Sequence, residues 1–211
     1  MAETKQTMLD EVAGFFSGKI ARFGQTAAGV DWRDEHEQTL RFDQLLKVVD
    51  TDETFSIADI GCGYAALRDY MKPRFPAFRY VGVDISADMI DAARARLANE
   101  TDVDFVVGTD AGDSVDYSVA SGTFNMRLGH SDEAWLACII ETLDGMNRCS
   151  TRGFAFNCLT SYSDREKMRD DLYYADPLRL FDHCKRNYSR QVALLHDYGR
   201  YEFTMIVRKQ A

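Results

Sequence analysis

Asp59-Ile60-Gly61-Cys62-Gly63-Tyr64-Ala65-Ala66 is a run rich in small residues between a strand pattern and a helix pattern. It follows a short apolar run, Ser56 to Ile60, and leads into a helical pattern from Ala65 to Met71 that Pro73 and Pro76 close. Small residues let the backbone turn sharply at the end of a buried strand and come close to a ligand. A strand, a tight turn and a helix in that order belong to an open α/β sheet, whose ligands sit beyond the carboxyl ends of the strands. Asp84 stands 21 residues after Gly63, at the end of a second strand pattern, Arg79 to Val83. A carboxylate there accepts from both ribose hydroxyls of a nucleotide, or caps a helix starting near Ser86. Asp110 follows a third strand pattern, Val103 to Val107. It either accepts from an adenine amino group or stands solvated in a loop.

Working outward, the spacing predicts helices over 87–99, with Ser86 as N-cap, and over 133–147, and strands over 117–120 and 153–159. Alternating strands and helices imply a mostly parallel sheet with helices on both faces. Residues 163–185 read as charged and mostly helical, interrupted at Pro177. The β-rich runs 191–196 and 201–208 flank Asp197-Tyr198-Gly199-Arg200 and predict a closing antiparallel hairpin. Two helical patterns lead the chain. Residues 5–23 carry Met8, Val12, Phe15, Phe16, Ile20 and Phe23, a glycine-rich loop covers 24–30, and 31–49 interleaves Leu40, Phe42, Leu45 and Leu46 with charges. The expected organisation is a single domain over 1–211, with a helical cap over 1–50 and an α/β core over 55–211.

The 211 residues hold 25 Lys and Arg against 34 Asp and Glu, a net charge of −9. That balance argues against a nucleic-acid backbone and an anionic membrane surface as partners. Cys62, Cys138, Cys149, Cys158 and Cys184 form no CxxC pair and no Cys/His ligand spacing, so no metal site is expected. The polar N-terminus has no apolar signal core, and no run reaches the ~18 apolar residues of a membrane span. A cytoplasmic protein is the expectation.

Asp59-x-Gly61-x-Gly63, Asp84, Asp110 and the terminal hairpin together resemble the class I S-adenosylmethionine-dependent methyltransferases, over about residues 55–211. The resemblance implies a Rossmann-like, mostly parallel seven-stranded sheet and S-adenosylmethionine as cofactor. It implies that Gly61, Cys62 and Gly63 lie under the methionine part and that Asp59 serves the amino group. Asp84 and Ile85 would meet the ribose, Asp110 and Ala111 the adenine, and Ser121 the centre of the cofactor. The third small position is Ala65 where the family pattern has Gly.

Gly29-Val30-Asp31-Trp32, Gln38, Arg41 and Phe42 resemble the leading region of a group of small bacterial methyltransferases. In that reading Trp32, Gln38 and Arg41 face the cofactor. Arg41 and Lys19 are the candidate cations for the methionine carboxylate or an acidic acceptor, and Arg41 reads equally as a salt bridge with Glu37 or a neighbouring acid. The reacting centre is then expected at Ser121-Gly122-Thr123-Phe124-Asn125, with Asn125 orienting the acceptor and Gly122 beside the sulfonium. There is no Asn/Asp-Pro-Pro-Tyr run of the kind that marks many amino methyltransferases of that superfamily. His130 is the first candidate for a general base and His196 the second. Tyr173 and Tyr174 are candidates to line an acceptor pocket. The implied activity is methyl transfer to a small-molecule acceptor. Two alternatives stay open. Gly61-x-Gly63-x-x-Ala66 also satisfies the dinucleotide fingerprint of an NAD(P)-dependent oxidoreductase, and a binding protein can keep a cofactor fold without catalysis.

Overall fold

In the computed structural model, which describes residues 2–209 and side chains from residue 5 onward, seven strands form one sheet in the order β3-β2-β1-β4-β5-β7-β6. They are β1 (Phe55–Ile60), β2 (Phe78–Asp84), β3 (Val103–Val107), β4 (Val115–Ala120), β5 (Ser150–Leu159), β6 (Gln191–Leu195) and β7 (Glu202–Arg208). The first five run parallel. The closing hairpin inserts β7 between β5 and β6, antiparallel to both. The helices are α1 (Ala2–Phe23), α2 (Glu35–Leu45), α3 (Ala66–Met71), α4 (Ala87–Arg96), α5 (Asp132–Cys149) and α6 (Pro177–Asn187). No described helix is long and apolar enough to cross a membrane.

The period of two along each strand assigns side chains to opposite faces of the sheet. Ile57, Tyr80, Tyr117, Ala155 and Ile206 pack with Leu45 of α2 and Leu67 and Met71 of α3. Ala58, Val81, Ala120, Phe154 and Val207 pack with Ile139 and Leu143 of α5, Leu180 of α6, and Met8 and Val12 of α1. Both faces are covered, as a largely parallel sheet requires.

One connection is unusual. Residues 108–114 carry the chain from β3 to β4 past two intervening strands, with no helix. Seven residues reach only ~24 Å when extended, so the link must run nearly straight, down the face that carries α5. The cover that a crossover helix would give comes instead from α1, which buries Met8 and Val12 in the cluster that α5 shares.

The helix expected over 163–176 does not form. Apart from a single turn of 3-10 helix at Arg165–Lys167, that segment is irregular. Its charges leave no apolar stripe to bury. Its backbone is tied to the loop after β4 instead, with Tyr173 N donating to Asn125 O at 2.8 Å and Leu128 N to Asp171 O at 2.9 Å. The helix begins at Pro177, whose fixed φ suits a first helical position, with Asp176 capping Leu178 N. The second leading helix starts at Glu35, capped by Asp34, because Asp31 turns left-handed at φ 61° and ends a 3-10 turn at Ala27–Val30.

Candidate functional site

The turn after β1 holds three left-handed residues, Gly61 (φ 73°), Gly63 (φ 54°) and Ala65 (φ 64°). Glycine takes this conformation freely, whereas a residue with a Cβ is strained there. Gly61 N and Cys62 N donate to Val83 O at 2.7 and 3.0 Å, which pins the turn to the end of β2. Asp84 ties it further. Its Oδ2 accepts from Gly63 N at 2.8 Å and its Oδ1 from Ser86 N at 2.9 Å. The helix cap itself belongs to Ser86, whose Oγ accepts from Met89 N at 3.2 Å. Each Asp84 oxygen keeps a lone pair for another donor.

The turn opens into a cleft at the carboxyl edge of the sheet. Of the expected cofactor residues, Asp59, Gly61, Cys62, Gly63, Asp84, Ile85 and Ser121 line it. So do Trp32 and Gln38, as the leading segment's resemblance implies. Sequence reasoning passed over Val30, Thr109 and Val12, which also line it. The helical spacing of α1 held the signal for Val12. Val30 belongs to the Gly29–Trp32 run of the leading segment and covers Gly63 so closely that a Cβ there would meet its Cγ1 at 2.8 Å.

Five expected residues lie elsewhere. Arg41 does not enter the cleft. Its Nε donates to Glu202 Oε2 at 2.8 Å and its Nη1 to Glu37 Oε2 at 3.1 Å, because β7 brings Glu202 against α2. Asp110 is exposed and accepts from Gly112 N at 2.7 Å, since the straight β3–β4 link carries it and Ala111 away from the cleft. Asn125 is buried but faces the end of β5, its Oδ1 accepting from Leu159 N at 3.2 Å. His130 pairs through Nε2 with Glu11 Oε2 at 3.0 Å and does not line the cleft. The secondary candidates are also engaged. Lys19 pairs with Asp31 at 2.6 Å, His196 lies between Tyr162 and Phe203, Tyr173 is buried in the core, and Tyr174 accepts from Arg169 N.

The electrostatics of the cleft suit a cation. Asp59 is fully buried. Its Oδ2 accepts from Tyr80 OH at 2.6 Å while Oδ1 has no partner. Burial pushes its carboxyl up to about 7, with the Tyr80 hydrogen bond opposing and the nearby Asp84 adding to the rise. Burial raises Asp84 too, against the backbone N–H groups of Ser86 and Gly63. No Lys or Arg lines the cleft among the described residues. Two buried carboxylates, a spare oxygen on Asp59 and a close-approach glycine turn fit a cationic, ribose-bearing cofactor with an amino group.

The Asp59 shift predicts a pH dependence. A carboxyl raised on folding binds an extra proton in the folded state, so its contribution to stability falls as pH rises from the ordinary carboxylate range through about 7. Asp59→Asn is therefore expected to stabilise the cofactor-free protein more at pH 8 than at pH 5.5. Thermal denaturation at the two values checks this, and a larger gain at pH 5.5 would contradict it.

Comparison with known proteins follows the same line. A family model described as "Methyltransferase domain" matches residues 57–144. The chain is 55% identical over 164 residues to a Mycobacterium tuberculosis protein named "Putative methyltransferase Rv1506c", covering 78% of this chain and 99% of that one. It is 39% identical over 75 residues to a trans-aconitate 2-methyltransferase of Rhodopseudomonas palustris, covering 32% of this chain and 28% of that enzyme. Among solved structures, magnesium protoporphyrin IX methyltransferase from Synechocystis with bound S-adenosylhomocysteine superposes with a TM-score of 0.67 at 14% identity, covering 100% of both chains. With the sheet order, the glycine turn and Asp84 in place, the chain belongs to the class I S-adenosylmethionine-dependent methyltransferases.

Proposed function

We propose that this methyltransferase acts on a small-molecule acceptor in the cytoplasm, with its cofactor held in the Asp59–Gly63–Asp84 cleft. The observation that carries the placement is the unpartnered Oδ1 of buried Asp59, on the same cleft wall as Gly61, Gly63 and Asp84. When bound, S-adenosylmethionine supplies an activated methyl group on a cationic sulfur. Asp59 accepts from the amino group, and Asp84 accepts from the ribose hydroxyls while keeping the glycine turn in register. Ile85 and Thr109 flank the adenine, in place of Asp110 and Ala111. Gly122, at φ 70°, brings the backbone after β4 close to the reacting centre. Val30 and Trp32 close over the two glycine turns and exclude water, which strengthens the attraction between carboxylates and cation. The net charge of −9 supports a partner other than nucleic acid or an anionic membrane.

The test is incubation with methyl-labelled cofactor and a fractionated metabolite extract. Label should enter a small product with wild type and fall sharply with Asp84→Ala. Label confined to macromolecules would overturn the acceptor class. Among the described residues no group of His, Cys, Asp or Glu is placed to hold a metal ion. Methyl transfer is accordingly expected to proceed unchanged in a chelator. Loss of activity there, restored by one divalent ion, would contradict this.

A further inference from the structure

At the rim of the cofactor cleft lies a set of buried polar groups, of which Ser121 lines the cleft and Asn157 and Glu202 do not. The antiparallel register of β5 and β7 sets Asn157 opposite Thr204 and Leu159 opposite Glu202, at the same sheet edge as the glycine turn. Directly opposed residues share a face. Asn157 and Glu202 are 0% and 1% exposed. Asn157 Oδ1 accepts from Gly122 N at 2.6 Å, but its Nδ2 has no partner. Glu202 Oε2 is taken by Arg41, but its Oε1 has no partner. Ser121 Oγ, on the cleft wall next to Gly122, is unpartnered too. Buried polar atoms without partners are costly, and these three lie at the adjoining ends of β4, β5 and β7.

One side chain links this cluster to the cleft. Trp32 lines the cleft and lies so tightly on Gly122 that a Cβ there would stand 2.3 Å from its Cζ2. The Arg41 guanidinium carbon is 4.0 Å from the Trp32 ring centroid. Trp32 therefore touches both the residue that Asn157 holds and the residue that Glu202 holds.

We propose that Ser121, Asn157 and Glu202 form the acceptor subsite, that Trp32 moves aside to open it, and that it takes an acceptor presenting an N–H or O–H rather than a carboxylate. The proposal rests on the reading above that places the reacting centre beside Gly122. A hydroxyl or a neutral amine satisfies both kinds of free atom, donating to Glu202 Oε1 and accepting from Asn157 Nδ2, while an ammonium still donates to Glu202. A carboxylate brings only acceptors and meets Glu202 with like charge. Nearby cations do not compensate. Arg41 is shared by Glu37 and Glu202, and Arg200, whose Nε is free, pairs through Nη2 with Glu37 at 3.3 Å. Two guanidiniums face two carboxylates, so no surplus positive charge is left to select an anion.

The experiment titrates Trp32→Ala with benzyl alcohol, benzylamine and benzoate by calorimetry, with and without saturating S-adenosylhomocysteine. The alcohol and the amine are expected to bind at least tenfold more tightly than benzoate. Trp32→Ala/Glu202→Gln should reduce that preference below threefold. Benzoate binding as tightly as the others, no binding of any probe, or a preference unaffected by Glu202→Gln would overturn the proposal. Should Trp32→Ala not fold, Trp32→Phe carries the same titration. In wild type, labelled methyl groups transferred to an extract should stay bound in mild alkali, as ethers and amines do, whereas release as methanol would mark an ester and overturn the proposal. Wild type that fails to bind S-adenosylhomocysteine would sink the cofactor reading alone, since the cofactor-free titration still decides the subsite.

Discussion

Replacing Arg41 by alanine is expected to destabilise the protein by about 3–5 kcal/mol, the cost of leaving a buried charge without its partner. The Arg41 and Glu202 side chains are 7% and 0% exposed, and the ion pair joins α2 to the start of β7. A loss of that size lowers the melting temperature by roughly 6–20 °C in a chain of this length. Removing both partners should cost less than removing Arg41 alone, because no uncompensated carboxylate then remains, and a double-mutant cycle reads the difference. Cofactor affinity should change less than stability, since Arg41 reaches the cleft only through its stack on Trp32. A stability change within ~1 kcal/mol would instead mark a solvent-screened pair.

Asp84→Ala is expected to weaken S-adenosylhomocysteine binding by roughly 1.5–3 kcal/mol, the range for hydrogen bonds to a charged group, which is about 10- to 150-fold in Kd. The same substitution leaves Gly63 N and Ser86 N without their acceptor. Buried donors without partners cost ~1–3 kcal/mol each, so stability should fall as well. Asp84→Asn separates the two roles. Its single carbonyl oxygen can serve one backbone donor but cannot also meet both hydroxyls with full charge, so it should recover part of the stability and little of the affinity. Calorimetric titration with thermal denaturation of both variants checks this. Unchanged affinity in Asp84→Ala would remove Asp84 from the cofactor site.

These two residues also show what a sequence can carry. The place of Asp84 on the cleft wall is legible because strand, glycine turn and acidic residue form a local pattern. For Arg41 the Glu37 pair, four positions away, is legible, but the buried partner Glu202 is 161 positions away and is brought to it only by the insertion of β7 between β5 and β6. The strands and most helices announced themselves through periodicity. The helix read into 163–176 failed for want of an apolar stripe, and its real structure depends on backbone pairing with the loop after β4. Asp110 reads equally as an adenine partner and as a solvated loop residue from its place just after β3, and local spacing does not decide between them. The β3–β4 link is too short for a helical crossover, so the chain leaves the cleft immediately after Thr109. The role of α1 as that crossover's substitute is a packing solution that no local spacing encodes.

Whether the Asp59–Gly63–Asp84 cleft is a methyl-donor site is read by a calorimetric titration of the wild-type protein with S-adenosylhomocysteine and, separately, with NAD. One-to-one saturable binding of S-adenosylhomocysteine with no binding of NAD is the predicted result. Saturable binding of NAD, or no heat with S-adenosylhomocysteine, would contradict it.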